Sequence, residues 1–311
     1  MANLGYIQLV RVCNQKCRFC SNPETSYELT LKDALARVDD FVERGYDGII
    51  LTGGEPTLYP DIVEVVRHAR SRGIHVRMIT NGQKTAVREF ARALATAGLE
   101  HVHVSVHTHD PKLQSFLTGN EDSLANIEAS LGHFFELGLN VDVNITIHAY
   151  NCGHLDSVVS WLVDKWPRLR HFVFNNLDPS SDRVAEFPDT IPRLVDIEMS
   201  LQRALRALHA SGRTFRVERL PLCYMAEFAW ASTETRKIVK KEERIVHFLD
   251  PRGTVRQTTW NHGKAEVCGV CRFDPICAGL FEMDKYYKSQ ELYPVFLSPE
   301  PVIKRIQAEK E

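Results

Sequence analysis

Three cysteines near the start of the chain have a spacing suited to an iron-sulfur cluster. Cys13, Cys17 and Cys20 follow the pattern C-x3-C-x2-C, directly after a strand-like apolar run from Tyr6 to Val12. Three thiolates on one short loop can hold three corners of a 4Fe-4S cubane, whose ligands are normally four cysteines, and the fourth iron then stays open to a small molecule. The spacing alone leaves two alternatives: a zinc site completed from elsewhere in the chain, and ordinary buried cysteines.

A second motif, Gly53-Gly54-Glu55-Pro56, follows the next apolar run, which extends from Gly48 to Thr52. Paired glycines let the backbone approach a ligand closely, and the glutamate carboxylate accepts hydrogen bonds from an ammonium group. As a lone motif it is equally typical of a turn. The two motifs lie about one strand-helix unit apart, since such a unit takes roughly 30 residues. Their order and separation make a chance agreement improbable.

Together the two motifs resemble those of the radical S-adenosylmethionine (SAM) superfamily, over about residues 6 to 180. The resemblance implies that the three cysteines hold a 4Fe-4S cluster whose open iron binds the amino and carboxylate groups of SAM. It also implies the reaction, in which the cluster donates one electron to SAM and the resulting 5′-deoxyadenosyl radical abstracts a hydrogen atom from the substrate. The SAM-binding residues that it implies in this region are Phe19, Gly53, Gly54, Glu55 and Pro56.

Length, charge and cysteine usage favour an intracellular enzyme. The chain of 311 residues suffices for one large domain and a smaller one, with roughly 100 to 200 residues per domain. The net charge of −2 disfavours an extensive nucleic-acid-binding surface, which would show a basic excess. We expect a cytoplasmic protein, because no apolar run is long enough for a membrane span, no secretory leader is evident, and most cysteines form two tight clusters typical of metal ligation in a reducing compartment.

Apolar runs alternate with amphipathic segments over the first part of the chain. The predicted strands are Tyr6 to Val12, Gly48 to Thr52, His75 to Thr80, His101 to His107, Val141 to Ala149 and His171 to Asn175. The predicted helices between them are Thr30 to Arg44, Pro60 to Ser71, Lys84 to Ala97, Ser123 to Leu137 and His154 to Trp166. Six such repeats predict an α/β fold with a parallel sheet and right-handed crossovers. Since eight repeats close a TIM barrel, we expect an open, partial (βα)6 TIM-type barrel, the same shape that the resemblance implies.

Two of these strands alternate aliphatic and polar residues. The aliphatic phase must pack under the helices, so the polar phase is predicted to face the barrel interior and to line a ligand cavity. The polar residues of that phase are Ser105, His107, Asp142, Asn144, Thr146 and His148. The alternative is that they satisfy one another inside the core. The family resemblance implies SAM contacts from a polar residue on the fourth strand and another on the fifth, which here are Ser105 and Asn144, and His107 is a candidate catalytic residue.

Three further residues, one just past the fifth strand and two at the end of the sixth, are candidates for chemistry. Cys152 continues the inward phase and is a candidate catalytic thiol that returns a hydrogen atom to a substrate radical. The alternative for an unpaired cysteine is an inert, buried, small apolar side chain. Asn175 and Asn176 are candidate substrate contacts, with turn residues as the alternative.

Beyond residue 184 the pattern changes, which divides the chain into a barrel core at 1–183 and a linker helix with a small domain at 184–311. A long amphipathic segment from Ile191 to Ser211 comes first. A hairpin-like piece follows from Ile245 to Val255, with Asp250, Pro251, Arg252 and Gly253 as its turn.

A second set of cysteines has the spacing C-x2-C-x5-C between Cys268 and Cys277, which resembles part of the SPASM extension that holds auxiliary iron-sulfur clusters. A full SPASM domain would have further cysteines where Thr258 and Phe281 stand, so the thiols suffice for one extra cluster, as in the shorter twitch version. A structural zinc site with four cysteines has the same ligand count and remains the alternative. The predicted ligands of this auxiliary 4Fe-4S cluster are Cys223, Cys268, Cys271 and Cys277.

We therefore expect a radical SAM enzyme with an auxiliary cluster that accepts or relays an electron, which favours an oxidation or a bond-forming step. The first strand begins by Tyr6, which leaves no room for the leader-binding segment of many peptide-modifying relatives, so the predicted substrate is a small polar metabolite. The alternatives are a peptide (RiPP) or protein maturase of the same superfamily, and a zinc-binding interaction protein without catalysis. The expected partner is an electron donor such as flavodoxin or ferredoxin.

Overall fold

The computed structural model describes residues 4–22, 25–248 and 253–309 of the chain. Its strands are β1 (Leu4–Val10), β2 (Gly48–Gly53), β3 (His75–Thr80), β4 (His101–Ser105), β5 (Asn140–Ile147), β6 (His171–Asn176), β7 (Thr214–Glu218), β8 (Arg244–His247) and β9 (Thr254–Gln257). Its α-helices are α1 (Leu31–Glu43), α2 (Ile62–Ser71), α3 (Arg88–Ala97), α4 (Pro111–Thr118), α5 (Ser123–Glu136), α6 (Leu155–Lys165), α7 (Asp182–Glu186), α8 (Leu194–Ala210), α9 (Thr233–Lys240) and α10 (Glu300–Ala308).

The chain divides into two compact units, with a border inside β5. The first unit contains Met1–Asn144 and Arg244–Arg256, and the second contains Ile145–Glu243 and Gln257–Glu311. Compactness alone defines these units. The functional division after residue 183 therefore stays a prediction.

The first unit is built on a sheet with the strand order β5-β4-β3-β2-β1-β8-β9. β1 pairs in parallel with β2 and β8, β2 with β3, β3 with β4, and β4 with the Asn140–Asn144 part of β5. Since these strands run in one direction, the loops that follow β1, β2 and β3 leave the same edge of the sheet. This edge brings the cysteine loop and the GGEP motif together.

The side-chain phase of β4 is the predicted one. Val102 and Val104 are completely buried, whereas His101, His103 and Ser105 on the opposite face are partly exposed. Alternate residues of a strand point to opposite faces, so the polar side chains of β4 share one face. The parallel sheet is confirmed for the first unit, and the curvature of a barrel stays a prediction.

The second unit has an apolar core of its own. β6 and β7 pair in parallel from His171 with Thr214 to Asn175 with Glu218, and α6 packs against α8. Phe215 on β7 is fully buried, and the rings of Phe228 and Trp230 lie 5.5 and 5.2 Å from its ring. Aromatic rings at these separations and angles stabilise a core beyond their buried area.

All six strands predicted for the first part of the chain are present, but three end early. β1 ends at Val10 instead of Val12, because the backbone N–H of Gly54 donates to the Val10 carbonyl and that of Glu55 donates to the Val12 carbonyl. β4 ends at Ser105 instead of His107, and β5 ends at Ile147 instead of Ala149. In each case the residues after the strand belong to the loops at the functional edge.

The predicted helices are also present, with one interruption. The segment from Lys84 to Ala97 consists of a 3₁₀ turn at Lys84–Ala86 and the helix α3, because Val87 has an extended backbone between them. Helix α4 was not predicted, although Asp110 and Pro111 are a start signal: Asp110 caps the N–H groups of Lys112 and Leu113. Strand β7 and helices α7, α9 and α10 were missed as well.

The hairpin-like segment corresponds to β8 and β9, which are neighbours in the sheet. Of its predicted turn, Asp250, Pro251 and Arg252 lie outside the described residues. Across residues 4–22, 25–248 and 253–309, no helix combines the length and the apolar character that crossing a membrane requires.

Helix α1 offers a test of the local account of stability. Thr30 caps this helix: its hydroxyl accepts from the Asp33 N–H at 3.2 Å and donates to the Asp33 carboxylate at 2.7 Å. We expect Thr30→Ala to lower the free energy of unfolding by about 1 kcal/mol, because it leaves an N-terminal N–H without its acceptor. Thr30→Ser keeps the hydroxyl and is the control. Equal denaturation midpoints for Thr30→Ala and the unmodified chain would contradict this role.

Candidate functional site

The cysteine loop of the first unit is fixed by backbone hydrogen bonds to the end of α4. The N–H of Lys16 donates to the Thr118 carbonyl and that of Arg18 donates to the Leu117 carbonyl, both at 2.9 Å. The Gln15 amide donates to the Ser123 hydroxyl at 2.8 Å, just inside α5. Residues between the three cysteines are thereby held to a helical part of the unit, which orders the loop independently of any cofactor.

None of the three cysteines of this loop forms a disulfide within the described residues, and all three are partly exposed. Burial and the negative charges of Glu55 and Cys20 raise the pKa of Cys13 to about 11, although an N–H of the loop opposes the shift. A thiol at this position therefore favours its protonated form until a cation offsets the cost of the thiolate. Three thiols on one ordered loop fit a cluster that needs three cysteine ligands.

The GGEP loop packs directly on the backbone that leads to Cys13. A Cβ atom at Gly53 would lie 2.1 Å from the Val10 carbonyl oxygen, and one at Gly54 would lie 2.2 Å from the Arg11 carbonyl oxygen. Gly53 also has a φ of +141°, which side chains rarely adopt. Both glycines are therefore required for the contact itself. They hold the end of β2 against the cysteine loop.

The Glu55 carboxylate is engaged by protein donors. One of its oxygens accepts from the Thr57 N–H, the Thr57 hydroxyl and the Thr80 hydroxyl at 3.1, 2.6 and 2.8 Å. The other accepts from the Asn81 N–H at 2.8 Å, and the side chain is 1% exposed. Burial raises the pKa of Glu55, and these hydrogen bonds oppose the shift. A carboxylate has about four acceptor sites, so this geometry gives Glu55 a role in positioning loops. Its direct contact with SAM stays a prediction.

Asn81 is a site residue that the sequence reasoning missed. It follows β3, and its side-chain amide donates to the Asn14 side chain at 2.7 Å and to the Cys13 sulfur at 3.6 Å. Together with its N–H bond to Glu55, it joins the loops that follow β1, β2 and β3. The signal was available, since a polar pair, Thr80 and Asn81, stands at the end of a predicted parallel strand, where ligand-binding residues collect.

Phe19 and His107, predicted for SAM binding and catalysis respectively, lie in contact. Their ring centroids are 4.5 Å apart with an edge-to-face arrangement, and both side chains are buried. Burial lowers the pKa of His107 to about 3, so its imidazole is neutral at pH 7. A neutral imidazole is suited to accepting or donating a hydrogen bond and not to providing a positive charge.

Ser105 and Asn144, the other predicted SAM contacts, are partners in the register between β4 and β5. Both are partly exposed, and the Val106 N–H donates to the Asn144 carbonyl at 3.0 Å. Pro56 is buried and begins the 3₁₀ turn that Glu55 caps. The first unit therefore contains every residue predicted for the SAM site.

Cys152 belongs to the second unit and is 5% exposed. Its thiol donates to the Ala149 carbonyl at 3.4 Å, and burial raises its pKa. The Asn176 amide donates to the Arg219 carbonyl at 3.2 Å, which is a structural role within this unit. Catalysis by Cys152 and substrate contacts by Asn175 and Asn176 stay predictions.

The four remaining cysteines line one small cavity of about 20 Å³ within the second unit. Cys223, which is distant in sequence, reaches the same cavity as the C-x2-C-x5-C trio. Its pKa is raised to about 12 by burial and by the neighbouring Cys277 and Cys268 thiols. The cysteines that line this cavity are Cys223, Cys268, Cys271 and Cys277.

Backbone donors point at two of these sulfur atoms. The Gly279 N–H donates to the Cys277 sulfur and the Val295 N–H donates to the Cys271 sulfur, both at 3.3 Å. Hydrogen bonds to cysteine sulfurs are one of the means by which proteins tune the potential of iron-sulfur clusters. The rest of the cavity is mainly apolar, with Leu222, Phe273 and Leu292 among its lining residues. This donor set fits a four-cysteine cluster.

The spacing of the sulfur atoms bears on the zinc alternative. Zn–S bonds of about 2.3 Å in a tetrahedron place sulfur atoms about 3.8 Å apart. Within the part of the chain that the structure describes, His101, His103 and Asp142 are the group that brings three ligand atoms within 4.8 Å of one another. The zinc alternative for the four cysteines of the second unit therefore stays open.

Comparison with known proteins gives matches over the first half of the chain. Residues 7–159 match the family model described as Radical SAM superfamily. The chain is 32% identical over 160 residues to PqqA peptide cyclase of Methylocella silvestris, covering 50% of this chain and 43% of that protein. It is 34% identical over 144 residues to a probable GTP 3′,8-cyclase of Thermococcus kodakarensis, covering 44% and 46%. The matched segments thus span less than half the length of these curated relatives.

Among solved structures, the fold is similar to that of native anSMEcpe with bound AdoMet and the Kp18Cys peptide. The TM-score is 0.67 at 12% identity, and the match covers 98% of this chain and 100% of that chain. At this identity the likeness concerns the fold. It confirms the predicted α/β class with a mostly parallel sheet.

The close approach of Gly54 generates a prediction. In Gly54→Ala, the new Cβ would meet the carbonyl oxygens of Arg11 and Val12, so we expect a loss of about 1–3 kcal/mol of stability and a lower iron content after anaerobic reconstitution. Gly132→Ala is the control, because its Cβ would meet no atom within 4 Å and alanine favours a helix. Iron and sulfide per chain, with unfolding curves, measure both. Equal iron content in the two variants would contradict the proposed contact.

Proposed function

Since residues 7–159 form a domain of the radical SAM superfamily, we propose that this protein is an enzyme that cleaves SAM reductively at a 4Fe-4S cluster bound by Cys13, Cys17 and Cys20. The observation that carries the proposal is the joining of the cysteine loop to the loops after β2 and β3 through Gly53, Gly54 and Asn81. When bound, the cluster and SAM supply a 5′-deoxyadenosyl radical that removes a hydrogen atom from the substrate.

Residues of the first unit have separate proposed roles in binding the cluster and in orienting SAM. Asn81 donates a hydrogen bond to the Cys13 sulfur, which favours the thiolate that a cluster ligand requires. Glu55, held by Thr57 and Thr80, fixes the loop after β2, and we assign its carboxylate a contact with the amino group of SAM. We assign further SAM contacts to Phe19, Pro56, Ser105 and Asn144. His107, as a neutral imidazole, is assigned a hydrogen bond to a reacting group.

We further propose that Cys223, Cys268, Cys271 and Cys277 bind an auxiliary 4Fe-4S cluster. Support comes from their common cavity and from the N–H donors of Gly279 and Val295. Four cysteine ligands leave no iron open to substrate, so the role is to accept or relay an electron during an oxidation or a bond-forming step. An electron donor of the flavodoxin or ferredoxin class would reduce the enzyme, and cysteines in two tight clusters typical of metal ligation favour a reducing compartment such as the cytoplasm.

Two substrate classes are supported by different observations. The polar face of β4 and β5 and the similarity to a probable GTP 3′,8-cyclase favour a small polar metabolite. The similarity to PqqA peptide cyclase and the fold likeness to anSMEcpe, whose structure contains a peptide, favour a peptide substrate. The residues of the site fit both classes, and a turnover assay that offers nucleotides and cysteine-containing peptides in parallel decides between them.

Replacing Cys13, Cys17 and Cys20 with alanine tests the catalytic cluster. The triple variant is expected to produce no 5′-deoxyadenosine from SAM under reducing conditions, because no thiolate remains for the cluster on this loop. Chromatography of the quenched reaction measures the product, and circular dichroism checks the fold. Cys223→Ala is the control and should still cleave SAM. Continued production of 5′-deoxyadenosine by the triple variant would refute the assignment.

Iron counting tests the auxiliary cluster independently. The reconstituted chain should contain about eight irons and the Cys13/Cys17/Cys20 variant about four, at four irons per cluster. Mössbauer spectroscopy of that variant should show a cubane. Stoichiometric zinc without iron would instead assign the cavity of the second unit to a structural zinc ion.

A further inference from the structure

A third group of ligand atoms, without cysteine, lies on the polar face of the sheet in the first unit. His101 and His103 are two residues apart on β4 and therefore share a face, and Asp142 is the register partner of His103 on β5. The Asp142 carboxylate lies 2.7 Å from the His101 Nε2 atom and 3.5 Å from the His103 Nδ1 atom. One nitrogen from each imidazole and one carboxylate oxygen all lie within 4.8 Å of one another.

This donor set has the composition of a divalent metal site. Two imidazoles and one carboxylate are the protein ligands of several catalytic zinc sites and of non-haem iron(II) sites, which keep open positions for water or substrate. Bonds of about 2.0–2.1 Å in a tetrahedron place ligand atoms about 3.4 Å apart, between the observed 2.7 Å and the 4.8 Å limit. Binding an ion would widen the separation of the His101 and Asp142 ligand atoms by about 0.7 Å.

The surroundings of the three side chains favour a built site. His101, His103 and Asp142 are 14, 13 and 10% exposed, and the two rings are stacked at 4.9 Å with an angle of 8°. Ligands on two paired strands are positioned more precisely than ligands on loops. Few competing solvent contacts and little conformational freedom remain to be lost when an ion binds.

We propose that His101, His103 and Asp142 bind one divalent first-row metal ion, with Zn²⁺ as the best match to two nitrogens and one oxygen. The ion would link β4 to β5 on the face that carries Ser105 and Asn144. His103 precedes Ser105 by two residues, about 7 Å along the strand at 3.3 Å per residue. The metal site is distinct from both cysteine sets and does not depend on the proposed function.

Replacing Arg77 tests the proposal in a second way, because this substitution should strengthen metal binding whereas the ligand substitutions should weaken it. Arg77 is the register partner of His101 on β3, and burial lowers its pKa while the Asp142 charge raises it. The guanidinium charge would therefore repel a metal ion bound at the neighbouring carboxylate, so Arg77 should weaken metal binding. If the three side chains only hydrogen-bonded to one another and bound no metal, Arg77→Met would not change the affinity for zinc.

The experiment uses the anaerobically reconstituted chain, in which the proposed clusters would keep zinc from their cysteines, dialysed against buffered Zn²⁺. We expect one zinc per chain by elemental analysis, with nitrogen and oxygen neighbours at about 2.0–2.1 Å in the zinc X-ray absorption spectrum and no sulfur at about 2.3 Å. Asp142→Asn and His103→Gln should each weaken binding by at least about 100-fold, the upper end of the loss for an outer-shell partner. Arg77→Met should bind zinc more tightly than the unmodified chain.

His133→Gln is the control, because this histidine contacts the Thr85 carbonyl outside the proposed site. It should bind zinc as the unmodified chain does. If Asp142→Asn fails to fold, His103→Gln and Arg77→Met still test the proposal, and zinc should raise the melting temperature of the unmodified chain but not that of His103→Gln. Absence of zinc with nitrogen and oxygen neighbours from the unmodified chain, or equal binding of that zinc by His103→Gln, would overturn it.

Discussion

The arrangement of the first unit depends on one buried carboxylate. Glu55 is 1% exposed and accepts hydrogen bonds from Thr57, Thr80 and Asn81. Burying a charge is costly unless it is paired or hydrogen-bonded, and each hydrogen bond to a charged group contributes about 1.5–3 kcal/mol. The loop after β2 must therefore stay close to the end of β3, since separating them would leave the carboxylate without the donors of Thr80 and Asn81.

Two sets of contacts connect the loops around Glu55 to the cysteine loop. Asn81, held by Glu55, donates to the Cys13 sulfur and the Asn14 side chain, while the two glycines pack on the carbonyls of Val10 and Arg11. The opposite side of the loop is bound to α4 and α5. Three thiols are thus presented by a loop that protein contacts order on both sides, which is the kind of preorganisation that a functional site requires.

Sequence reasoning predicted the strands and the cysteine loop because both depend on local patterns. Neighbouring residues alone show the spacing of the three cysteines and the alternation of β4. The predicted ends of β1 and β4 were two residues too late, because loop contacts replace strand pairing there. The role of Glu55 was different, since its partners Thr80 and Asn81 are 25 and 26 residues away. Partners at that separation become visible only through the register of the sheet.

The central claim is that the Cys13, Cys17 and Cys20 loop holds a cluster with one iron open to SAM. Mössbauer spectroscopy of the ⁵⁷Fe-reconstituted protein, with and without SAM, tests it most directly. SAM should change the isomer shift of one iron, about one eighth of the signal when two four-iron clusters are loaded. An unchanged spectrum with SAM bound, or zinc in place of iron on this loop, would contradict the account.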